Sequence, residues 1–163
     1  MTIAVGDSLP STRIEIVGNT LGAATEQVDL ATFAANRKLV LFSVPGAFTP
    51  TCSEQHLPGF VEHYREFKDK GVDVACVSVN DKFVMQAWAQ SRNVPEGMLM
   101  IADGNGDLVK ALGLDSDFSA YGMGTRGQRF ALLADNGVVK SVEIEAPGEM
   151  RVSSAENMLT HIS

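Results

Sequence analysis

Short uninterrupted apolar runs alternate along this chain with stretches whose apolar residues recur at helical spacing. Lys38–Val44 reads Lys-Leu-Val-Leu-Phe-Ser-Val, as expected of a strand covered on both faces. Pro45 and Gly46 end it. A helical stretch then extends to about Lys70 and closes at Gly71. In it Phe60, Tyr64 and Phe67 recur at helical spacing, while Glu62, Arg65, Glu66 and Asp69 are polar. Pro58 and Gly59 are expected to kink or break this helix early. Val72–Val79 predicts a second strand. Asn80 or Asp81 can cap the next helix, which runs to about Arg92 and carries Phe83, Val84, Ala87 and Trp88. Met98–Ala102 predicts a third strand and Asp107–Leu112 a short helix. Asp117–Gly127 is Gly-rich and is expected to form a flexible loop. Arg129–Ala134 and Val138–Glu145 flank Asp135-Asn136-Gly137, a hairpin signal. A last helix is expected over Ser154–His161, and a weak strand at Arg13–Val17.

Two βα crossovers make a parallel section, and the hairpin adds an antiparallel one. The pattern predicts an α/β protein with a mixed central sheet of about five strands flanked by helices, the arrangement of thioredoxin-like folds. With 163 residues and no internal repeat or linker, a single domain over 1–163 is expected. Apolar residues are 45% and charged residues 20%, enough for a full core and unlike a disordered chain. The net charge of −7, with no Lys/Arg cluster, argues against nucleic acid or anionic membranes as partners. No apolar run approaches the ~20 residues of a membrane span. The first residues form neither a basic n-region nor an apolar h-region, so a reducing, cytoplasmic setting is expected. Two cysteines, Cys52 and Cys76, are too few for a disulfide scaffold. The question for each thiol is whether it is reactive or buried.

Several motifs fail on context. Gly122-Met123-Gly124-Thr125-Arg126-Gly127 matches G-x-G-x-x-G, but a loop precedes it and a strand follows, the reverse of a dinucleotide site. Asp103-Gly104-Asn105-Gly106-Asp107 resembles the start of a calcium loop, yet its sixth position is Leu108 and its twelfth Leu114. A turn followed by a helix cap explains it better. Cys52 and His56 are four residues apart and can share a helix face, but two ligands do not make a metal site. His63 and His161 read as surface residues. Neither a metal nor a cofactor is expected.

The informative segment is Val44-Pro45-Gly46-Ala47-Phe48-Thr49-Pro50-Thr51-Cys52-Ser53-Glu54, which joins a buried strand to a helix. Thr49 can be the N-cap with Pro50 at the first helical position, which makes Cys52 the third helical residue. Alternatively, Thr51 caps and Glu54 completes a capping box. Either scheme sets Cys52 in the first turn, where free N–H groups and the positive end of the dipole favour an anion. That is insufficient by itself. Lowering a thiol pKa from ~8.5 to about 6 requires roughly 3.4 kcal/mol. A helix terminus supplies ~0.3–1 kcal/mol, or up to about 2 in favourable geometry. A cation must provide the rest. Full ionisation raises the reactive fraction only about 30-fold, so a fast reaction also needs donors aimed at developing charge. An arginine or lysine from elsewhere in the chain and a hydroxyl such as Thr49 are therefore required.

Pro45-Gly46-Ala47-Phe48-Thr49-Pro50-Thr51-Cys52, followed by Ser53 and by His56-Leu57-Pro58-Gly59-Phe60, resembles the peroxiredoxins, and most of all their type II (peroxiredoxin-five type) subfamily. The resemblance continues through Ser78-Val79-Asn80-Asp81 with Phe83 and Trp88, and through Arg126-Gly127-Gln128-Arg129-Phe130-Ala131. It implies a thioredoxin-fold peroxidase acting on hydrogen peroxide and alkyl hydroperoxides. Cys52 would be the peroxidatic cysteine and become a sulfenic acid. Thr49 would hydrogen-bond the peroxide and Cys52, and Pro45 would shield the sulfur from water. Arg129 would hold the thiolate and polarise the O–O bond, supplying the missing cation, with Arg126 a second choice or a support residue.

A sulfenic acid is resolved by another thiol. Where atypical two-cysteine members carry a late resolving cysteine, this chain reads Met150-Arg151-Val152-Ser153-Ser154-Ala155. Cys76 follows Cys52 by 24 residues, a spacing similar to plant type II members, but it lies mid-strand on the face of Val72 and Val74. It is either a buried structural thiol or a resolving cysteine, and a bond to Cys52 would need Cα atoms within ~7 Å. The resemblance implies an external reductant, with glutathione and glutaredoxin favoured over thioredoxin, and a homodimer formed through the face with the active-site loops. A thioredoxin-type oxidoreductase lacks the C-x-x-C it needs. A redox sensor that reacts once without turnover is the remaining alternative.

Overall fold

The computed structural model describes residues 1–162, and the side chains of Cys52 and Ser53 lie outside the described set. The elements in order are β1 (Arg13–Val17), β2 (Glu26–Asp29), α1 (Leu30–Ala34), β3 (Lys38–Ser43), α2 (Leu57–Glu62), α3 (Tyr64–Asp69), β4 (Val72–Ser78), α4 (Lys82–Ser91), β5 (Leu99–Ala102), α5 (Asp107–Ala111), β6 (Asp115–Asp117), β7 (Thr125–Gly127), β8 (Phe130–Asp135), β9 (Val138–Ile144) and α6 (Ala155–Thr160). A π-type turn, Cys52–His56, precedes α2.

Among the described residues the main sheet has seven strands, ordered β2-β1-β5-β4-β3-β8-β9. β3 runs parallel to β4, and β4 to β5. β8 pairs antiparallel with β3, β9 with β8, and β1 with β5 and β2. The expected mixed sheet flanked by helices is therefore present, and wider than the five strands anticipated. β1 joins it, and β2 escapes the hydrophobic pattern because Glu26-Gln27-Val28-Asp29 holds a single apolar residue.

The apolar runs divide by parity, as the two-residue period of a strand requires. Val40, Phe42, Val74 and Cys76 face Leu57, Phe60, Phe67, Met85, Trp88 and Met158, from α2, α3, α4 and α6. Leu39, Leu41, Ala75 and Val77 face Leu30, Leu108 and Leu112 on the opposite side, which α1 and α5 cover. β3 is buried along both faces, so its sequence is continuous rather than alternating.

Two local readings are revised. The long helix is irregular just before Pro58, not at it, and it breaks again at His63 between α2 and α3. Pro58 has no N–H for the carbonyl of Glu54, and its ring crowds that carbonyl, so the preceding turn widens to the π type. The Asp117–Gly127 segment is structured: β6 and β7 pair, and a 3₁₀ turn at Ser119–Tyr121 lies between them. Gly122 and Gly124 adopt φ of +71° and +67°, which accounts for the glycines without a nucleotide. Asp103 acts as the expected cap, accepting from the N–H groups of Leu108 (3.0 Å) and Val109 (3.1 Å) at the start of α5.

Candidate active site

Strand register decides what meets at one end of the sheet. Ser43 at the end of β3 is opposite Phe130 at the start of β8, and Phe130 is opposite Ile144 at the end of β9. Just outward lie Val44 and Pro45 after β3, Arg129 before β8 and Glu145 after β9. The Glu145 N–H donates to the Arg129 carbonyl at 3.0 Å. A cleft of about 540 Å³ opens here, and Pro45, Thr49, Thr51, Arg129 and Glu145 contribute to its walls.

The loop from β3 into the helix is held tightly. Phe48 has φ +65°, uncommon for a residue with a side chain, within a turn in which the Thr49 N–H meets the Gly46 carbonyl at 3.4 Å. The Asn80 Oδ1 accepts from the Ala47 N–H (3.0 Å) and from the Ser78 hydroxyl (2.5 Å), tying the loop to the end of β4. A Cβ on Gly46 would stand 3.1–3.2 Å from Met123, Arg126 and Thr49, so glycine suits that close approach. Arg126 Nη1 donates to the carbonyls of Pro45 (3.4 Å) and Val79 (3.2 Å), and its Nε to that of Met123 (2.9 Å). Arg126 is thus a brace that joins three loops.

The Thr49 hydroxyl donates its one proton to the Gly46 carbonyl at 2.7 Å, so it meets the cleft as an acceptor and not as the donor that the thiol chemistry called for. Pro50 and Thr51 are already helical, so Cys52 is the third residue of the helical run, as in the first capping scheme. The Cys52 side chain, on which the peroxidatic assignment rests, lies outside the described residues.

Arg129 turns inward. Its Nη1 donates to His56 Nδ1 at 2.9 Å. His56 is almost completely buried, and its ring lies 4.9 Å from that of Phe42 and 5.7 Å from that of Phe60. Its Nε2 is 2.9 Å from the Ser153 carbonyl oxygen. A guanidinium only donates and a carbonyl only accepts, so the ring is the neutral Nε2–H tautomer. Burial, aided by the Arg129 charge, pushes the His56 pKa down from 6.5 to about 3, against the Ser153 carbonyl and Glu145, which favour protonation. Glu145 Oε2 accepts from the N–H groups of Arg151 (2.8 Å), Val152 (2.8 Å) and Ser153 (2.7 Å) and from the Ser153 hydroxyl (2.7 Å). Burial disfavours the Glu145 carboxylate, but these donors outweigh it and hold the pKa below the ordinary value.

Cys76 is fully buried in β4, in register with Phe42 of β3 and Met100 of β5. It occupies the face of Val72 and Val74, as the strand pattern predicts. His56, Glu145 and Ser153 are participants to which the sequence assigns no role in the site, although His56 lies in the His56–Phe60 stretch of the resemblance. The i, i+4 spacing of Cys52 and His56 is a signal, but it reads equally as half of a metal pair. Glu145 and Ser153 become relevant only through strand register and the return of the chain toward α6.

The fold and this end of the sheet define a thioredoxin-like protein with an arginine-lined cleft where β3 feeds a helix. Residues 4–159 match the Redoxin family. The chain is 51% identical to peroxiredoxin-2E-2, chloroplastic, of Oryza sativa subsp. japonica, over 97% of this chain and 72% of that protein. It is 48% identical to peroxiredoxin-2C of the same plant, over 96% of each. Among solved structures, reduced Prx3 of Vibrio vulnificus in complex with H2O2 superposes with a TM-score of 0.90 at 44% identity, covering 99% of this chain and 96% of that one. The chain belongs to the peroxiredoxins, the thiol peroxidases of the redoxin family.

Proposed function

We propose that this protein is a type II (peroxiredoxin-five type) peroxiredoxin that reduces hydrogen peroxide and alkyl hydroperoxides through Cys52, with glutathione and glutaredoxin as reductant. The observation that carries this is the inward Arg129 guanidinium at the mouth of the β3–helix junction. The Cys52 thiolate attacks the terminal peroxide oxygen. An S–O bond forms, the O–O bond breaks, and the leaving oxygen takes a proton to become water or an alcohol. Arg129 favours the thiolate and donates to the oxygens as charge moves between them. Thr49, whose proton is committed to Gly46, accepts from the peroxide O–H and orients it. Pro45 limits water at the sulfur. The sulfenic acid then condenses with glutathione, releasing water, and a second thiol regenerates Cys52.

The deep burial of Cys76 within the sheet favours this external route over a Cys52–Cys76 bridge. The cytosol is the compartment we infer, because it supplies reduced glutathione. We also infer a homodimer through the face with the active-site loops. Support for this comes from the exposed aromatics Phe48, Phe83 and Tyr121, on segments that meet at this end of the sheet.

The test treats wild type, Cys52→Ser and Cys76→Ser with stoichiometric peroxide and then glutathione. We expect dimedone trapping on Cys52, loss of turnover in Cys52→Ser, and a glutathione adduct in both proteins that retain Cys52. Undiminished turnover in Cys52→Ser would end the peroxidase reading. A Cys52–Cys76 bridge would transfer the resolving role to Cys76 and favour thioredoxin, and a single reaction without turnover would indicate a sensor.

A further inference from the structure

Arginine is long and flexible, and a guanidinium that must stabilise charge in a cleft has many competing rotamers. Here His56 Nδ1 is an acceptor that meets it inside the protein. That acceptor exists only while the ring keeps its proton on Nε2, and the Ser153 carbonyl 2.9 Å away selects that tautomer. Ser153 is in turn gripped by Glu145, whose Oε2 accepts from both its N–H and its hydroxyl, together with the N–H groups of Arg151 and Val152. Phe42 and Phe60 fix the plane of the imidazole between these ends. Each link holds a group of low freedom, and the contacts are direct: those at Ser153 are buried and the one between Arg129 and His56 is part-buried.

We propose that the Glu145 side chain, beyond the backbone bond of Glu145 to Arg129, is a positioning group for the Arg129 guanidinium, acting through Ser153 and the His56 imidazole to keep the guanidinium in the cleft. The proposal rests on the peroxidase reading of Cys52 and Arg129. It assigns to the Ala146–Val152 segment a role as the strut that carries the Ser153 carbonyl to His56. A carboxylate suits this role because its charge strengthens each of the bonds that the one oxygen accepts.

The experiment compares Glu145→Gln and Glu145→Ala with the wild type in a Cys76→Ser background, after a cooperative melt shows that each is folded. The first readout is ¹⁵N-imidazole NMR. His56 is expected as the neutral Nε2–H tautomer in the wild type and as a tautomer mixture in Glu145→Ala. The second is the pH midpoint of Cys52 alkylation by iodoacetamide, expected to rise by about half a unit or more in Glu145→Ala as the guanidinium loosens. The third is peroxide turnover, expected to fall about 10- to 100-fold in kcat/KM. Glu145→Gln, whose amide oxygen still accepts, should lie between on all three. Folded Glu145→Ala with an unchanged alkylation midpoint overturns the proposal, whether or not the tautomer moves. If Glu145→Ala does not fold, Glu145→Gln and Ser153→Ala decide by the same readouts. A wild type without peroxidase activity sinks the underlying reading instead, and the NMR and alkylation measurements still report on the Glu145–Arg129 linkage.

Discussion

Histidine chemistry dominates at the residue scale, because two histidines pull stability in opposite directions with pH. His56 titrates near 3 when folded and near 6.5 when unfolded, so between those values the unfolded chain binds more protons. Its contribution is present above pH 6.5 and is lost as pH falls, at up to about 1.4 kcal/mol per pH unit. His63 is the reverse. Its bond to Glu66 (2.7 Å), reinforced by Glu156 (3.0 Å), raises its pKa above 6.5. That contribution is present below pH 6.5 and fades as pH rises through the folded value. Denaturant melts from pH 5 to 8.5 should therefore show a maximum near pH 6.5. His56→Gln should flatten the acid limb and His63→Gln the alkaline one. A wild-type stability that is constant over this range would remove both assignments.

At the element scale, the short segments are made by caps and breakers more than by propensity. α5 has five residues, and Gly106 at its start offers no side chain. Asp103 reaches in from before the turn to accept from Leu108 and Val109. Asp103→Ala should cost about 1–2 kcal/mol, read as a lower urea midpoint at unchanged m. The hairpin between β8 and β9 turns on Asn136 (φ 51°) and Gly137 (φ 79°), the paired left-handed conformations its sequence demands. Signals of this local kind were readable from the chain: a cap at Asn80 or Asp81, of which Asp81 caps α4, a last helix beginning near Ser154, and Asp-Asn-Gly at the hairpin. β2 was not readable, because Glu26–Asp29 offers only Val28 to the core and otherwise joins β1 through the backbone ladder. The irregularity expected at Pro58 and Gly59 falls a few residues earlier, as the π turn Cys52–His56, because the effect of Pro58 is on the carbonyl four residues before it.

At the scale of the whole molecule, the site exists because β3, β8 and β9 end together. The same end presents Phe48 at 53% exposure and Tyr121 at 79%, costly surface for a protein alone in water. The dimer inferred above predicts that sedimentation velocity gives twice the monomer mass. Phe48→Asp should shift the protein toward monomer while leaving the melt cooperative. A monomer for the wild type at micromolar concentration would exclude this face as a stable interface.

The sequence by itself determined the alternation of strands and helices, the two faces of the sheet, and the setting of Cys52 in the first helical turn after Pro45–Thr49. Those depend on periodicity, proline and capping, which act over a few residues. The demand for a distant cation was also contained in the sequence, since a helix terminus supplies too little to ionise a thiol. Only the tertiary structure decided where Arg129 and Arg126 go: one guanidinium to a buried imidazole, the other to the carbonyls of a brace. It alone turned His56, Ser153 and Glu145 into one connected set. Strand register and chain return bring together residues nearly a hundred positions apart, and no local pattern records that distance.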